Sequence, residues 1–186
     1  MLILASASPR RRDLLNQIGL HHTVVPAHID ETRHAGEHAM AYVCRLALEK
    51  ARTVHALDPQ TTVLAADTTV VLDGTVLNKP ADLAEADRML RSLAGRTHHV
   101  HTGIAVVTRK GEWTHVERTA VTMTPMHEDD LAAYLATGDS LDKAGAYGIQ
   151  GYAGRWVEGI HGDFFNVVGL PLAATVRLLQ HAAIVD

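Results

Sequence analysis

The sequence predicts an α/β protein built on a mixed β-sheet, and three observations predict it. Short apolar or alternating segments, as strands show, are interleaved with segments whose apolar residues recur at helical spacing. Some connections between strands read as tight hairpins and others pass through a helix, so antiparallel and parallel pairing are expected in one sheet. The 186 residues, 47% of them hydrophobic, suit a single domain over residues 1–186, since domains average about 150 residues, and they suffice to bury a core.

Taken in order, Met1 to Ala5 reads as a buried strand. Ser6-Ala7-Ser8 turns it into a helix with Ser8 as N-cap and Pro9 at the first helical position; Leu14, Leu15 and Ile18 form its apolar side, and Gly19 follows its end. A His-rich connection leads to a longer helix, about Glu37 to Leu57, whose stripe is Met40, Val43, Ala47, Val54 and Leu57, with Lys50 inside it. Thr62 to Leu72 is a strand, and Asp73-Gly74 turns it into a second strand ending at Leu77. Asp82 and Glu85 open a helix with Ala86, Met89, Leu90 and Leu93 on its face and Gly95 after it. His98 to Thr108 and Trp113 to Thr124 form strands joined by Arg109-Lys110-Gly111-Glu112. An acidic-headed helix runs from His127 to Thr137, a strand lies near Trp156 to Ile160, and Pro171 opens a last helix with Leu172, Val176 and Leu179 inward.

Composition excludes several classes of function. Seventeen Lys and Arg against 21 Asp and Glu give a net charge of −4, which argues against a general grip on nucleic acid or an anionic membrane. The one cysteine, Cys44, forms no internal disulfide and no thiolate cage, which fits a reducing compartment. No targeting signal and no apolar run of about 18 residues is visible, so a soluble cytoplasmic protein is expected. Thirteen histidines invite a metalloprotein reading. His99 and His101 share a strand face, but no third ligand stands at useful spacing and no H-E-x-x-H string occurs. Seven of the 14 glycines fall between positions 145 and 169, which marks tight turns or close backbone approach.

Three features point to anion chemistry. Arg10-Arg11-Arg12 sits in the first turn of a helix, where cations are disfavoured by roughly 0.3–1 kcal/mol unless an anion is present. With Ser6, Ser8 and Pro9, the strand-turn-helix suits a phosphate site, the alternative being a solvated basic patch; no P-loop string exists. Asp67 interrupts the apolar run Val63 to Leu72, either facing water from an edge strand or lying in a cleft to ligate a divalent ion or activate water. Lys50 either snorkels from its apolar stripe or reaches into that cleft, and Lys79, before Pro80, is equally open. Together with Asp30 and Glu31 these groups suit a polyphosphate with a bound metal.

These strings resemble one family. Leu4-Ala5-Ser6-Ala7-Ser8-Pro9-Arg10-Arg11-Arg12-Asp13-Leu14-Leu15, Asp30-Glu31, Leu48-Glu49-Lys50-Ala51, Ala66-Asp67-Thr68, Lys79-Pro80 and Leu93-Ala94-Gly95-Arg96-Thr97-His98 are similar to motifs of the Maf-like nucleoside triphosphate pyrophosphatases. So are Leu141-Asp142-Lys143-Ala144-Gly145-Ala146-Tyr147-Gly148-Ile149-Gln150-Gly151 and Asn166-Val167-Val168-Gly169-Leu170-Pro171, and the likeness covers nearly the whole chain in order.

The resemblance implies an elongated mixed sheet with flanking helices, in two lobes around a deep cleft, related to inosine triphosphate pyrophosphatases. It implies a house-cleaning hydrolase, commonly a homodimer, that releases pyrophosphate from a nucleoside triphosphate with Mg²⁺ or Mn²⁺. Asp67 resembles the catalytic carboxylate; Ser6, Arg11, Lys50 and Lys79 resemble phosphate-binding residues; Glu31 and Asp67 resemble metal carboxylates. Arg10, Thr68 and Gln150 match the branch acting on dTTP and UTP, with CTP and modified uridine triphosphates as further substrates. Asp139-Ser140 and Phe164-Phe165 depart from the family pattern, as do His99 and His101, whereas His98 belongs to it. A nucleotide-binding regulator linked to cell division, without significant turnover, is the rival reading.

Overall fold

The computed structural model describes residues 1–182 and residue 184. Its strands are β1 (Leu2–Leu4), β2 (Thr23–Val24), β3 (Thr62–Leu72), β4 (Thr75–Leu77), β5 (Thr97–Thr108), β6 (Gly111–Met123) and β7 (Val157–His161). Its α-helices are α1 (Pro9–Gln17), α2 (Ala39–His55), α3 (Leu83–Leu93), α4 (Glu128–Ala136), α5 (Phe164–Val168) and α6 (Leu172–His181). The seven strands follow the order β2-β1-β3-β5-β6-β7, with β4 paired to β3. β1 runs parallel to β2 and β3, whereas β3–β4 and β6–β7 are antiparallel, so the sheet is mixed as expected. The short strand β2 and the short helix α5 are not foreshadowed in the sequence, because two and five residues carry too little periodicity.

The chain divides into two compact units: Met1–Thr68 with Thr102–Glu117 and Gly169–Asp186, and Thr69–His101 with Arg118–Val168. In the first unit, Ile3 and Ala5 of the β1 segment, Val63 and Ala65 of β3, and Ala105 and Val107 of β5 pack with Ala47, Ala51 and Val54 of α2. Small residues let the helix lie close to the strands. Gly103 is where this is tightest, since a Cβ there would stand 2.3 Å from the Val43 carbonyl oxygen. Side chains alternate along a strand, so Asp67 shares the α2-facing side with Val63 and Ala65, while Thr68 turns to the opposite side with Leu64 and Ala66. Two members of the expected α2 stripe do not pack: Met40 is 46% and Leu57 76% exposed. The first lies in the opening turn and the second beyond the last helical residue, so the periodicity outruns the surface it covers.

In the second unit, Asp73 and Gly74 take φ of 48° and 79°, the left-handed pair a two-residue hairpin turn requires. Asp82 caps α3 by accepting from the Glu85 amide at 2.7 Å, and Glu85 accepts in turn from the Ala81 amide at 2.7 Å. Ala86, Leu90 and Leu93 of that helix join Val70, Leu72, Val100, Met123, Tyr134 and Trp156 in a core of their own.

Candidate active site

Two clusters form in the first unit, one on each face of β3. On the α2 side, Lys50 sits in the stripe of Ala47, Ala51 and Val54 and is 8% exposed, so it does not snorkel to water. Its ammonium donates to Asp67 Oδ1 at 2.7 Å and lies 2.6 Å from Glu31 Oε1. Asp67 is also 8% exposed, which removes the reading of a water-facing edge residue. Burial raises its pKa, the charges of Lys50 and Arg11 work against that rise, and Glu31 adds to it. Glu31 itself is exposed and is carried by the coil between β2 and α2.

On the opposite side, Arg11 ties three distant segments together. Its Nε donates to the Gly169 carbonyl at 2.8 Å, Nη1 to Ser6 Oγ at 3.2 Å and Nη2 to Thr68 Oγ1 at 3.0 Å. Thr68 Oγ1 also lies 2.9 Å from Thr102 Oγ1. Burial lowers the pKa of this guanidinium, with Asp67 opposing and Arg10 assisting. Ser6 is buried and accepts from the Ser8 amide at 3.2 Å. Ser8 is the N-cap residue by backbone position, but its side chain makes no cap bond. Arg10 is half-buried in the first turn of α1, whereas Arg12 is exposed and pairs with Asp13. Of the basic triplet, therefore, Arg12 faces away from the cluster that Arg11 builds.

Lys79 and Gln150 belong to the second unit. Lys79 is exposed and follows Asn78, whose side chain accepts from Thr69 Oγ1 at 2.9 Å. Gln150 is exposed in a turn closed by the Gly151 amide on the Gly148 carbonyl at 3.2 Å. Nearby, buried Lys143 donates to Asp139 Oδ1 at 2.7 Å and Asp142 Oδ1 at 2.6 Å, and a Cβ on Gly148 would stand 2.7 Å from the Lys143 Cε. A histidine metal site is not supported: Arg118 Nη2 stands 2.8 Å from His99 Nε2, placing a cation at that ring nitrogen.

Among the described residues no group of three or more His, Cys, Asp or Glu is arranged to hold a metal ion. The two carboxylates that share Lys50 are nevertheless a fitting partial set for a hard divalent ion, which is commonly held by one or two carboxylates and completed by substrate phosphate oxygens. Sequence reasoning does not single out Thr102, the Gly169 carbonyl, or the pairing of Arg45 with Glu37 at 2.7 Å. The Thr102 and Gly169 contacts join segments far apart in the chain, and the Arg45 fork joins α2 to a residue just ahead of it, so composition and periodicity carry no signal for either.

A family model described as Maf-like protein matches residues 1–182. The dTTP/UTP pyrophosphatase of Koribacter versatilis is 50% identical over 183 residues, covering 98% of this chain and 95% of that protein. Those of Myxococcus xanthus and Moorella thermoacetica are each 53% identical, covering 99% and 96% of this chain and 93% of each relative. Among solved structures, a nucleoside-triphosphatase / dITP/XTP pyrophosphatase from Mycobacterium abscessus aligns with 100% of this chain and 98% of its own at a TM-score of 0.46 and 15% identity. With the family match running over all but the last few residues, and with half of all positions identical across almost the full length of these relatives, the chain belongs to the Maf-like protein family.

Proposed function

We propose that this chain is a nucleoside triphosphate pyrophosphatase acting on dTTP and UTP, with CTP and modified uridine triphosphates as further substrates, and that residues 1–186 work as one catalytic domain. The observation that carries the reading is the buried carboxylate of Asp67, bonded to Lys50 at 2.7 Å beside a second carboxylate and close to the Arg11 cluster. Relatives about half identical to it are named dTTP/UTP pyrophosphatases.

In the proposed reaction, water attacks the α-phosphorus and the bond from that phosphorus to the bridging α-β oxygen breaks. The products are the nucleoside monophosphate and pyrophosphate, and the proton of the water passes to Asp67 and then to solvent. Burial suits Asp67 to the task of base, because a carboxylate with a raised pKa binds a proton more readily. Ser6, Arg11, Lys50 and Lys79 bind the phosphates, and their charge balances what develops on the departing pyrophosphate. Lys50 is held by both acids, which orients its ammonium for the phosphates. Asp67 and Glu31 would hold a divalent ion, Mg²⁺ or Mn²⁺, which supplies Lewis-acid neutralisation of phosphate charge when bound. Gln150, with Arg10 and Thr68, reads the base, since a primary amide both donates and accepts as a uracil or thymine edge requires.

We further propose a cytoplasmic homodimer with no nucleic-acid or membrane partner. The net charge of −4 argues against a nucleic-acid partner and the free Cys44 suits a reducing compartment. No described helix is long and apolar enough to cross a membrane, and the homodimer is what the family resemblance implies. The reading as a regulator without turnover is not favoured, because the relatives are named for hydrolysis. Incubation with dTTP, UTP, CTP, GTP and ATP plus Mg²⁺ or Mn²⁺, with pyrophosphate and orthophosphate measured separately, tests the proposal. Pyrophosphate from dTTP and UTP is expected. Tight nucleotide binding with no product, or orthophosphate alone, would overturn it.

A further inference from the structure

We infer that Arg45 is a positioning residue: through Glu37 it fastens the coil that carries Glu31 and thereby sets the reach of Glu31 to Lys50. The inference rests on the catalytic reading of the Lys50, Asp67 and Glu31 group. Glu31 lies in a stretch without regular secondary structure, between β2 and α2, so no sheet or helix ladder fixes it. Its side chain is 52% exposed and yet meets Lys50 Nζ at 2.6 Å. Something else must hold that backbone still, and side chains of α2, with Glu37 just ahead of it, reach the coil.

Arg45 makes a two-pronged pair with Glu37, Nε to Oε1 at 2.7 Å and Nη2 to Oε2 at 2.8 Å. The same Nη2 donates to the Thr32 carbonyl at 3.1 Å, one residue beyond Glu31. Tyr42 Oη donates to the Glu31 carbonyl at 2.8 Å. Glu37 in turn gathers the coil onto itself: Oε2 accepts from the His34 amide at 3.1 Å and its carbonyl from Arg33 Nε at 2.8 Å. The Arg45 and Glu37 side chains are only 19% and 10% exposed, so this fork is better shielded from water than a surface pair.

The arrangement works as a ruler. Tyr42, Arg45 and Lys50 belong to one continuous helix, so their separations are fixed by helical geometry. Tyr42 and Arg45 hold the two successive carbonyls of Glu31 and Thr32, and Lys50, further along the same helix, receives the Glu31 carboxylate. Glu49 steadies the device from the next turn, at 3.2 Å from Arg45 Nη1. Lysine could not replace Arg45, because one ammonium cannot serve the fork to Glu37 and the Thr32 carbonyl in that planar geometry.

The test compares full-length Arg45→Met, Arg45→Lys, Glu37→Gln and Glu31→Gln proteins, and the Arg45→Met/Glu31→Gln double variant, by steady-state pyrophosphate release from dTTP and by hydrogen exchange of the residue 30–37 amides. Arg45→Met and Glu37→Gln should each lower kcat about 10–100-fold, the scale of a misplaced catalytic group, with faster exchange across the coil, and Arg45→Lys should recover little. In the Glu31→Gln background Arg45→Met should cost almost nothing more. Losses that multiply in the double variant, or unchanged exchange in both Arg45→Met and Glu37→Gln, overturn the inference. Should Arg45→Met fail to fold, Glu37→Gln breaks the same fork from the coil side, and its rate and exchange decide the matter. A wild-type rate in Glu31→Gln would instead overturn the catalytic reading of Glu31, and the exchange data would still decide whether Arg45 holds the coil.

Discussion

Lys50 and Asp67 are both 8% exposed and lie 2.7 Å apart, a buried ion pair reached from a helix stripe on one side and a strand face on the other. A pair of this kind contributes little net stability, because desolvating two ions offsets most of their attraction. In the proposed mechanism its value is in poising a base and a cation together.

Asp67→Asn keeps the size of the side chain and an oxygen for Lys50 to meet, but it removes the base. Pyrophosphate release should fall by roughly 10²–10⁴-fold, the usual worth of a general base. The fold should survive. Because the Asp67 pKa is raised, its contribution to stability is complete below the ordinary carboxyl range and is lost as pH rises through the folded value. Glu31 still stands 2.6 Å from the Lys50 ammonium after the change, so Lys50 keeps a counter-charge and the melting temperature should stay within a few degrees of wild type. Turnover near the wild-type rate in a folded Asp67→Asn protein would remove Asp67 from the mechanism.

The acid limb of kcat/KM tests the same group without deleting it. On the proposed mechanism activity requires the carboxylate, so it should rise with pH through an apparent pKa above the free-aspartate value of about 3.9. Burial is the largest cause of the upward shift and Lys50 the largest counterweight. Lys50→Met lowers the rate everywhere, but the shape of the profile is the readout: its acid limb should move to higher pH. A limb that stays in place, or moves down, would show that a different group controls it.

Arg11 and Gly169 make a linked prediction on the other face of β3. The arginine donates to the Gly169 carbonyl, Ser6 and Thr68, and a lysine reaches one of these at a time. Arg11→Lys should cost about 2–3 kcal/mol of stability, the worth of one or two charge-assisted hydrogen bonds. Gly169 has φ of 124°, and a Cβ would meet its nearest neighbours at ordinary distances of 3.6 and 3.7 Å. The penalty of Gly169→Ala is therefore backbone strain without a clash, about 1–3 kcal/mol. Urea unfolding of both variants checks this, with an unchanged m-value expected if only the native state is affected. An alanine as stable as glycine would contradict the strain argument.

How much of this was legible in the sequence follows from the range of each signal. Lys50 in an apolar helical stripe and Asp67 in an apolar strand are local anomalies, and the structure brings both to one face as their periodicities imply. The turn at Asp73-Gly74 and the capping pair of Asp82 and Glu85 are local as well. The grip of Arg11 on Gly169 spans 158 positions, and that of Arg45 joins α2 to Glu37, in a segment without regular periodicity just ahead of the helix. Neither leaves a mark in composition or spacing. The histidines mislead for a related reason: His99 and His101 share a face as alternation dictates, but Arg118, on the next strand, stands at the His99 ring nitrogen.

His98 carries the last prediction, which concerns stability and not turnover. Its ring is fully buried, with Nε2 2.7 Å from Tyr147 Oη and the two rings packed edge to face at 5.3 Å. Burial, with a smaller effect of His99, pushes its pKa down to about 4. Unfolded histidine titrates near 6.5, so this depressed group contributes stability that is complete above about pH 6.5 and is lost as pH falls through the folded value. The loss should reach about 2–3 kcal/mol by pH 4, at 1.36 kcal/mol per unit. Burial also lowers His99 and His101, so replacing His98 should shrink the slope without abolishing it. Urea unfolding at pH 7.5 and pH 5 for wild type and His98→Gln reads this directly: the variant starts less stable and loses less on acidification. An equal loss in both proteins would mean that His98 accepts no proton on unfolding, and that the acid sensitivity of the fold lies with other groups.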